Sequence, residues 1–583
     1  MNRRELLGTA ALTCIAAGLT GPSLAAPHRR ATTARIGADI PWTTYQAEEM
    51  KTTGVILGPV YAPFRVEMES SQQRCVKLAA GQYVEFTVRA PANALVVRYS
   101  LPDSADGNGI ASTLLFSRNG TPLRGIPVTS RYTWVYGDYP FTNNPAAGKP
   151  RKFYDEARVK GLMLAKGDVI RLEKPDDAAA YCIIDLVDLE LVAPPLRHPP
   201  NAVSAVDFGA DPAGHIDSTE AVRACLAAAA NQGKIAFVPP GDYKLTGDIV
   251  LPSNVTLQGA GMWHTTFVGD EELYIHANRR LRFKLTGTNS HLADFALLGK
   301  LKYRNDDEQN DGIFGAHGEN CIVSRLWVEH TKVGMWFYVC DNIVIKDCRL
   351  RNLLADGINL CVDVRNCVIQ NCTARNTGDD CFAIWPAVSD QSFTEESPRP
   401  GNNVIRRCTG ELPFLANGGA IYGGASNRIE DCLFTDITSG CGILISTTFP
   451  TSDGKTDNNF SGTTAIRDCR LVRCGGYDHD WTWRAAFQIC LDRYDIAGLR
   501  LNNIEIKDSF SDGFAVVTGP KGKAPHTLTD VRLENISISN YAIGAARRHG
   551  LWIEEKATGR MTLARSKIAN IRNDSRTFQI FAE

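Results

Sequence analysis

The sequence lacks three features that mark common classes of protein. It has no excess of basic residues, since 63 Lys and Arg stand against 64 Asp and Glu for a net charge of −1, and a nucleic-acid-binding surface depends on such an excess. It has no Cys-x-x-Cys pair and no histidines at ligand spacing, so we expect no zinc site. Beyond its first residues it has no long apolar run, so we expect no membrane insertion of the mature chain.

The 17 cysteines are too few for a disulfide scaffold in a chain of 583 residues. Several recur at one register, three residues after an isoleucine, and Ser509 after Ile506 continues the pattern with serine. Stacked cysteine behaves as a small buried apolar residue. We therefore expect an internal ladder formed by Cys348, Cys372, Cys408, Cys432 and Cys469.

A short repeat brings acidic residues together. Residues 331–339, 354–362 and 377–385 align at intervals of 23 residues, which makes Asp356 equivalent to Asp379 and leaves Asp380 beside it. Repeats of this length, rich in Val, Ile and Asn, predict coils of a parallel β-solenoid. Neighbouring coils lie about 4.8 Å apart, so the three carboxylates would crowd on one ridge. Because such crowding does not stabilise a fold, it indicates catalysis.

The N-terminus predicts export. Arg3 and Arg4 precede an uncharged, Ala/Gly-rich run from Leu6 to Leu19, which is typical of a signal peptide with a twin-arginine sequence. We assign residues 1–26 to this peptide and expect a periplasmic or secreted protein. Residues 27–39 are predicted to be a polar linker.

Two domains are predicted beyond that point. Residues 40–194 alternate over short strands, as an antiparallel β-sandwich does, and the prolines of residues 195–204 indicate a stiff linker. Residues 205–583 are assigned to the β-solenoid, so the fold class is all-β. An amphipathic helix that starts at Asp217 or Ser218 and ends at Gly233 would plug the open end of the solenoid.

Both domains resemble known families. Ala205–Asp211, Phe237–Tyr243 and Asn254–Gly261 are similar to the start of the right-handed parallel β-helices of the pectate-lyase-like superfamily. The sandwich resembles carbohydrate-binding modules of the calcium-containing type. That resemblance implies a structural Ca²⁺ held by Glu48, Glu67 and Asp188. The alternative is that these three residues are solvated acidic positions on strands.

The sandwich also has an aromatic segment, Arg131–Tyr139. Its rings could stack on sugar rings. Alternatively, they pack the sandwich against the solenoid.

The acidic repeat resembles the catalytic centre of glycoside hydrolase family 87, the mycodextranases and α-1,3-glucanases. The resemblance rests on Ala355–Ile358, Asn376–Trp385, Gly418–Asn427 and Gly440–Phe449. It implies cleavage of a polysaccharide, with α-1,3-glucan as the favoured substrate, by inversion and without a catalytic cofactor. By analogy, Asp379 is the general acid, and Asp356 and Asp380 hold the attacking water.

Further residues are candidates for substrate binding. Trp385, Tyr422, Trp481 and Trp483 offer aromatic faces for sugar subsites, and Asn376 could orient Asp379. The alternatives are that Trp385 packs against the next coil and that Asn376 belongs to an internal ladder.

Two other functions stay open from the sequence. A polysaccharide lyase would use the three aspartates as a Ca²⁺ cage and an arginine, such as Arg351, Arg375 or Arg484, as base. A non-catalytic glycan-binding protein would not need paired carboxylates. In each case the partner is a polysaccharide or oligosaccharide, and we expect a monomer.

Overall fold

The computed structural model describes residues 36–274, 276, 279–386, 400–449, 459–478, 482–519, 525–544 and 548–583. The predicted signal peptide and most of the polar linker lie outside this part of the chain. The described residues build two β regions within one compact unit that runs from Ile36 to Glu583.

The first region is the predicted antiparallel β-sandwich. One sheet contains β3-β4-β11-β6-β9 with β1 paired to β11, the other contains β2-β5-β10-β7-β8, and the two inner faces enclose an apolar core. The strands are β1 (Trp42–Gln46), β2 (Lys51–Thr52), β3 (Val55–Leu57), β4 (Cys75–Leu78), β5 (Tyr83–Thr87), β6 (Ala92–Ser100), β7 (Ala111–Arg118), β8 (Thr121–Thr129), β9 (Asp155–Leu164), β10 (Val169–Glu173) and β11 (Cys182–Glu190).

The second region is a parallel β-helix, as predicted. In the described part of the chain its larger sheet has 20 strands and its smaller sheet has 12. The larger sheet contains β12 (Ala202–Ser204), β13 (Ile235–Val238), β14 (Gly241–Lys244), β16 (Thr256–Gly259), β17 (Thr265–Val268), β19 (His291–Leu298), β21 (Ile322–Glu329), β23 (Val344–Lys346), β24 (Arg349–Arg351), β26 (Val368–Gln370), β27 (Thr373–Arg375), β29 (Val404–Arg406), β30 (Thr409–Glu411), β32 (Arg428–Glu430), β33 (Leu433–Thr435), β35 (Thr464–Val472), β37 (Ile496–Lys507), β39 (Thr527–Ser539), β41 (Thr558–Ala564) and β43 (Phe578–Ala582).

The smaller sheet carries the catalytic candidates at its edge. It contains β15 (Asp248–Leu251), β18 (Arg282–Leu285), β20 (Ile313–Ala316), β22 (Met335–Tyr338), β25 (Ile358–Cys361), β28 (Phe382–Trp385), β31 (Gly419–Ile421), β34 (Ile443–Ser446), β36 (Phe487–Leu491), β38 (Phe514–Thr518), β40 (Leu551–Ile553) and β42 (Ile571–Asn573). A central coil, such as β23-β24-β25, thus has three strands.

Residues with left-handed backbone form the corners between these strands. Asp347 and Asn352 have φ of 59° and 52°, and Asn371 and Asn376 in the next coil have φ of 54° and 60°. Asn and Asp tolerate this conformation better than most residues. Their side chains also bond along the stack, as Asn371 Nδ2 does to Asp347 Oδ1 at 2.6 Å. The polar corners therefore help to hold neighbouring coils in register.

The cysteine ladder is confirmed. Its five members are buried in the core of the β-helix, and none of the cysteines in the described residues forms a disulfide. The predicted extension to Ser509 is wrong, because Ile504 pairs with Cys469 and occupies the ladder position. Ser509 lies five residues further along the chain, beyond the corner that follows β37.

The predicted plug is also present. Helix α1 (Thr219–Gln232) buries Val222 and Leu226 against the first coils and ends at Gly233, whose φ is 62°. The Asp217 Oδ1 atom caps its first turn by accepting from the Thr219 backbone N–H at 3.0 Å. Of the helices in the described part of the chain, none is long and apolar enough to cross a membrane.

Both predicted linkers are anchored where they are described. The Gly37 N–H donates to the Asp431 carbonyl at 2.8 Å, and the Ala38 N–H donates to Thr409 Oγ1 at 3.0 Å. Between the domains, the Leu196 N–H donates to the Ala260 carbonyl at 2.9 Å. These segments lie on the β-helix and hold the sandwich against it.

Candidate active site

The acidic residues lie in the corners that lead into two successive strands of the smaller sheet. Asp356 precedes β25, and Asp379 and Asp380 precede β28. Strand β25 pairs with β28 in parallel register, Ile358 opposite Phe382, which is an interval of 24 residues. The backbone N–H of Gly357 donates to the Asp380 carbonyl at 2.9 Å. The β-helix therefore places all three carboxylates at one edge of this sheet.

This register corrects the predicted one. Asp356 stacks on Asp380, not on Asp379, because the corner after β25 has one residue more than the corner after β22. The cysteine ladder contained the signal, since Asp356 and Asp380 each follow a ladder cysteine by eight residues. The next residue of this row is Asn417.

The three carboxyl groups form a tight cluster, which we call the triad. One side-chain oxygen of each lies within 4.8 Å of the others. Asp356 is 7% exposed and Asp380 is 2% exposed, whereas the Asp379 side chain is 29% exposed. Asp379 is thus the carboxyl that an incoming molecule meets first.

Hydrogen bonds fix the orientation of Asp380. Its Oδ1 accepts from the Asn417 backbone N–H at 3.0 Å and from Asn417 Nδ2 at 2.7 Å, and its Oδ2 accepts from Tyr422 Oη at 2.9 Å. The sequence predicts that the Tyr422 ring binds sugar, and this stays a prediction. The structure adds a second role, because the Tyr422 hydroxyl is bonded to the triad.

Burial and mutual repulsion favour protonated carboxyl groups here. Burial raises the pKa of Asp380 to about 7, and the charge of Asp379 contributes to this rise. Burial likewise raises the pKa of Asp356 well above its usual value, with the charges of Asp379 and Asp380 as further causes and Arg304 opposing them. Protonated and ionised carboxyl groups therefore coexist near neutral pH, as acid–base catalysis requires.

Arg304 is a component of the site that the sequence did not reveal. One of its terminal nitrogens (Nη2) lies 3.0 Å from Asp379 Oδ2. Arg304 belongs to the segment between β19 and β20, outside the repeats, so no register predicts its position.

Aromatic rings cover the outer face of the smaller sheet beside the triad. The ring of Trp385 lies 5.7 Å from that of Trp336 and 5.5 Å from that of Phe449, and Tyr422 lies 5.1 Å from Phe449. We call these four residues the aromatic floor. Trp385 is partly exposed and packs against Cys361 and Val362 of the preceding coil rather than the next one. Its role in a sugar subsite stays a prediction.

Two of the remaining substrate-binding candidates, Asn376 and Trp483, are described. Asn376 is fully buried, and its Nδ2 donates to the Tyr154 carbonyl at 2.7 Å and to Asn352 Oδ1 at 2.8 Å. It belongs to the internal ladder and holds the sandwich, which corrects its assignment to sugar. Trp483 is half-buried, with its ring 5.5 Å from that of Tyr477. Trp481 lies outside the described residues.

The structure gives one member of the predicted calcium site another partner. Asp188 accepts from Thr44 Oγ1 at 2.6 Å and from Arg375 Nη1 at 3.0 Å, so a guanidinium neutralises this carboxylate. One carboxylate oxygen of Glu48 and one of Glu67 are buried without a hydrogen-bond partner among the described residues. The assignment of Glu48, Glu67 and Asp188 to a structural Ca²⁺ stays a prediction.

A second group with metal-ligating atoms, Asp155, Glu329 and His330, lies between the domains. His330 Nε2 lies 2.8 Å from Asp155 Oδ1, and Arg158 pairs with Glu329 at 3.3 Å. These contacts describe an ion-pair network that joins the sandwich to the β-helix.

The aromatic segment of the sandwich packs on the β-helix. Val135 and Phe141 share an apolar cluster with Phe414, and the Tyr132 ring stacks on His330 at 4.6 Å. Trp134 packs edge-on against Phe153 within the sandwich. Of the two interpretations of this segment, the structure supports packing.

A parallel β-helix with a carboxylate cluster beside exposed aromatic rings defines a carbohydrate-active enzyme. The comparisons with known proteins narrow the class. Two family models match, the α-1,3-glucanase catalytic domain D1 over residues 39–192 and domain D2 over residues 215–573. Among curated proteins no match was found.

Solved structures agree with the family models. The catalytic unit of a thermostable GH87 α-1,3-glucanase from Streptomyces thermodiastaticus strain HF3-3 is 32% identical, with a TM-score of 0.79 over 94% of this chain and 96% of that one. The Agl-KA catalytic domain is 24% identical, with a TM-score of 0.83 over 95% and 100%. A GH87 α-1,3-glucanase catalytic domain in complex with nigerose is 25% identical, with a TM-score of 0.79 over 93% and 96%.

The chain belongs to the GH87 α-1,3-glucanase family. It is a glycoside hydrolase, as the acidic repeat predicted, and its partner is a saccharide. Neither the lyase nor the non-catalytic binding protein agrees with this assignment.

Proposed function

We propose that the protein hydrolyses α-1,3-linked glucan with the triad of Asp356, Asp379 and Asp380. The observation that carries the proposal is the cluster itself, three carboxyl groups within 4.8 Å at the edge of the smaller sheet. The substrate follows from the family and from a relative that binds nigerose.

In the proposed reaction, the solvent exposure of each triad member determines its role. Asp379, the exposed member, donates a proton to the glycosidic oxygen as the bond from that oxygen to the anomeric carbon breaks. Asp356 and Asp380 hold a water between them, whose oxygen attacks the anomeric carbon and whose proton passes to this pair. Because the three carboxyl groups lie so close together, a proton can pass from one to another.

The stereochemical outcome is open to a sharp test. Single pairs of carboxylates about 5–5.5 Å apart usually give retention, and those about 6.5–9.5 Å apart give inversion. In the proposed reaction two carboxylates share one water, and two hydrogen bonds of about 2.7 Å span a gap of the size seen in the triad. We therefore propose inversion. Proton NMR of the first product formed would show the β-anomer, whereas initial α-anomer would establish retention.

The aromatic floor supplies a binding surface for sugar rings. The Nε1 atom of Trp385 is buried and has no hydrogen-bond partner among the described residues. The ring itself is partly exposed, so its face is the part of Trp385 on which a sugar ring can stack. We propose that Trp385 and Trp336 form the first subsite.

The substrate is tested with purified protein and a panel of glucans. Activity on α-1,3-glucan, with little on α-1,4-glucan, β-1,3-glucan or polygalacturonate, is the expected result. Chelation of metal ions should leave turnover unchanged, because water and carboxylates suffice for the proposed steps. Preference for another polysaccharide would overturn the substrate assignment, and loss of activity in chelator would overturn the metal-free mechanism.

We also propose export through the twin-arginine-type signal of residues 1–26 and action as a monomer outside the cytoplasm. Replacing both Arg3 and Arg4 by Lys should retain the protein in the cytoplasm, as cell fractionation would show. Light scattering would measure the mass in solution.

A further inference from the structure

Arg304 makes more contacts with the corners that carry the triad than its ion pair with Asp379 alone suggests. Its side chain is only 4% exposed. Its Nη1 donates to the carbonyl of Leu354 at 3.1 Å and to the carbonyl of Gly378 at 2.7 Å. Leu354 is two residues before Asp356, and Gly378 directly precedes Asp379. One guanidinium thus ties together the two corners that carry the triad and also binds the Asp379 carboxylate.

A second set of contacts holds the guanidinium itself. Arg304 Nε donates to Asp306 Oδ1 at 2.9 Å, and Nη2 donates to the hydroxyl of Tyr139 at 3.1 Å. The Tyr139 hydroxyl in turn donates to Asp306. The guanidinium carbon lies 4.7 Å from the centre of the Tyr139 ring. These contacts engage the three nitrogens of the guanidinium, so its plane is fixed.

Tyr139 belongs to the sandwich, whereas Arg304 and the triad belong to the β-helix. The path from the first domain to the Asp379 carboxylate is therefore two contacts long, Tyr139 to Arg304 and Arg304 to Asp379. The buried position of Arg304 beneath exposed Asp379 means that a sugar would meet the carboxyl and not the guanidinium.

We propose that Arg304 is the positioning residue of the triad and that Tyr139 makes the sandwich domain part of the active site. This inference rests on the proposed catalytic role of the triad. As Asp379 gives its proton to the leaving oxygen, it becomes a carboxylate, and Arg304 is already placed to stabilise that charge. The same guanidinium keeps the corner of Asp356 in register with that of Asp379.

The first test separates the charge of Arg304 from its shape. Arg304→Lys keeps the charge but cannot bind Asp379, Leu354 and Gly378 in one plane. Hydrogen bonds to charged groups contribute about 1.5–3 kcal/mol, so kcat should fall by about 10- to 100-fold with little change in KM. Arg304→Gln removes the charge as well, so its kcat should fall at least as far as that of Arg304→Lys.

The pH profile is the readout that a merely structural role would not move. The charged groups that face Asp356 are Asp379, Asp380 and Arg304, and the Cys361 thiol and the Tyr422 hydroxyl are its neutral titratable neighbours. Arg304 opposes the rise in the pKa of Asp356. If Asp356 acts ionised, loss of this cation in Arg304→Gln moves the acidic limb of kcat/KM to higher pH, and Arg304→Lys leaves the limb in place.

A matched pair of tyrosines tests the contribution of the sandwich. Tyr139→Phe removes only the hydroxyl that holds Arg304, and kcat should fall about five- to tenfold. Tyr136 lies in the same segment, but its hydroxyl donates to Asp103 within the sandwich at 2.7 Å. Tyr136→Phe should keep wild-type kcat. This pair also decides the question if the Arg304 variants do not fold.

Two outcomes would overturn the inference. One is wild-type kcat and an unchanged pH profile in Arg304→Gln or Tyr139→Phe while Asp379→Asn is inactive. The other is an equal loss in both tyrosine variants, which would indicate local damage to the sandwich. Full activity of Asp379→Asn would instead refute the proposed function itself.

Discussion

Two stacks of side chains run along the same β-helix. They are built in the same way, from equivalent residues of neighbouring coils, but they differ in location and in chemistry. The cysteine ladder, from Cys348 to Cys469, lies inside the coils. The acidic row, Asp356, Asp380 and then Asn417, lies at an outer corner. Both bring together residues from neighbouring coils about 4.8 Å apart. The spacing between coils determines which residues meet. Whether those residues face the core or the surface of the β-helix determines what they can do.

The same physical cause gives the two stacks opposite reactivity. Burial raises the pKa values of the Cys372 and Cys432 thiols well above that of an ordinary cysteine. Both thiols therefore stay neutral and unreactive. Burial also raises the pKa of Asp380, to about 7, but for a carboxyl group this shift leads into the physiological range. An inert thiol and a working acid thus follow from one desolvation effect.

The largest expected effect comes from changes in the triad, two of whose members belong to the acidic row. Replacing Asp356, Asp379 or Asp380 by Asn keeps the size and removes proton transfer, so each change should lower kcat by at least about 100-fold. Asp347→Asn is the matched control, because Asn371 serves the same corner position in the next coil. Steady-state rates on α-1,3-glucan are the measurement. Near-normal turnover in all three triad variants would refute the assignment.

A smaller effect is expected on the sheet beside the row. Trp385→Ala removes a ring from the aromatic floor, and aromatic contacts of about 1–1.5 kcal/mol predict a rise in KM of roughly tenfold. The control is Trp552→Phe, since Trp552 lies on the same sheet several coils away, in β40. If both variants keep the wild-type KM on glucan oligosaccharides, the floor is not a subsite.

The third prediction concerns stability and pH. A carboxyl group whose pKa is raised on folding binds protons more tightly in the native state, so its contribution to stability is lost as pH rises from about 4 to about 7. Asp380→Asn removes this penalty. Its melting temperature should exceed that of the wild type by a few degrees at pH 8 and match it near pH 4. A lower melting temperature at pH 8 would show that the bonds to Asn417 and Tyr422 outweigh the repulsion.

The smallest expected effect concerns the cysteine ladder. Native protein should react with iodoacetamide at none of the five ladder cysteines, whereas protein in denaturant should react at all of them. Mass spectrometry of the digested protein would show which sites carry the label. Rapid labelling of Cys408 in the native state would mean that the ladder opens, and the contrast between the two stacks would lose its basis.

The sequence was sufficient for the parts of the molecule that repeat. The ladder cysteines, the helix plug and the acidic cluster all follow from periodicity or from residues with a fixed conformational preference. The predicted register of the cluster is wrong by one residue. The local repeat gives an interval of 23 residues, whereas the ladder cysteines Cys348 and Cys372 are 24 residues apart, as the strands are.

Other parts could not be predicted, because they depend on how segments distant in sequence meet. Arg304 reaches the triad from outside the repeats, and Tyr139 reaches Arg304 from another domain. Asp188 has the carboxylate that a calcium ligand needs, but its partner in the structure is Arg375, which lies 187 residues further along the chain. Acidic residues in a sequence show where charge is present and not which cation neutralises it.

The anchored start of the described chain has a consequence for the order of assembly. Coils of a solenoid can stack on one another as they emerge from the ribosome, since each needs only its predecessor. The bond from Gly37 to Asp431 is different, because it closes a loop of almost 400 residues. That closure carries an entropic cost and cannot form before the chain up to Asp431 has been synthesised and the coil of Asp431 has folded. Docking of this segment is therefore a late event that reports completion of the coil that carries Asp431.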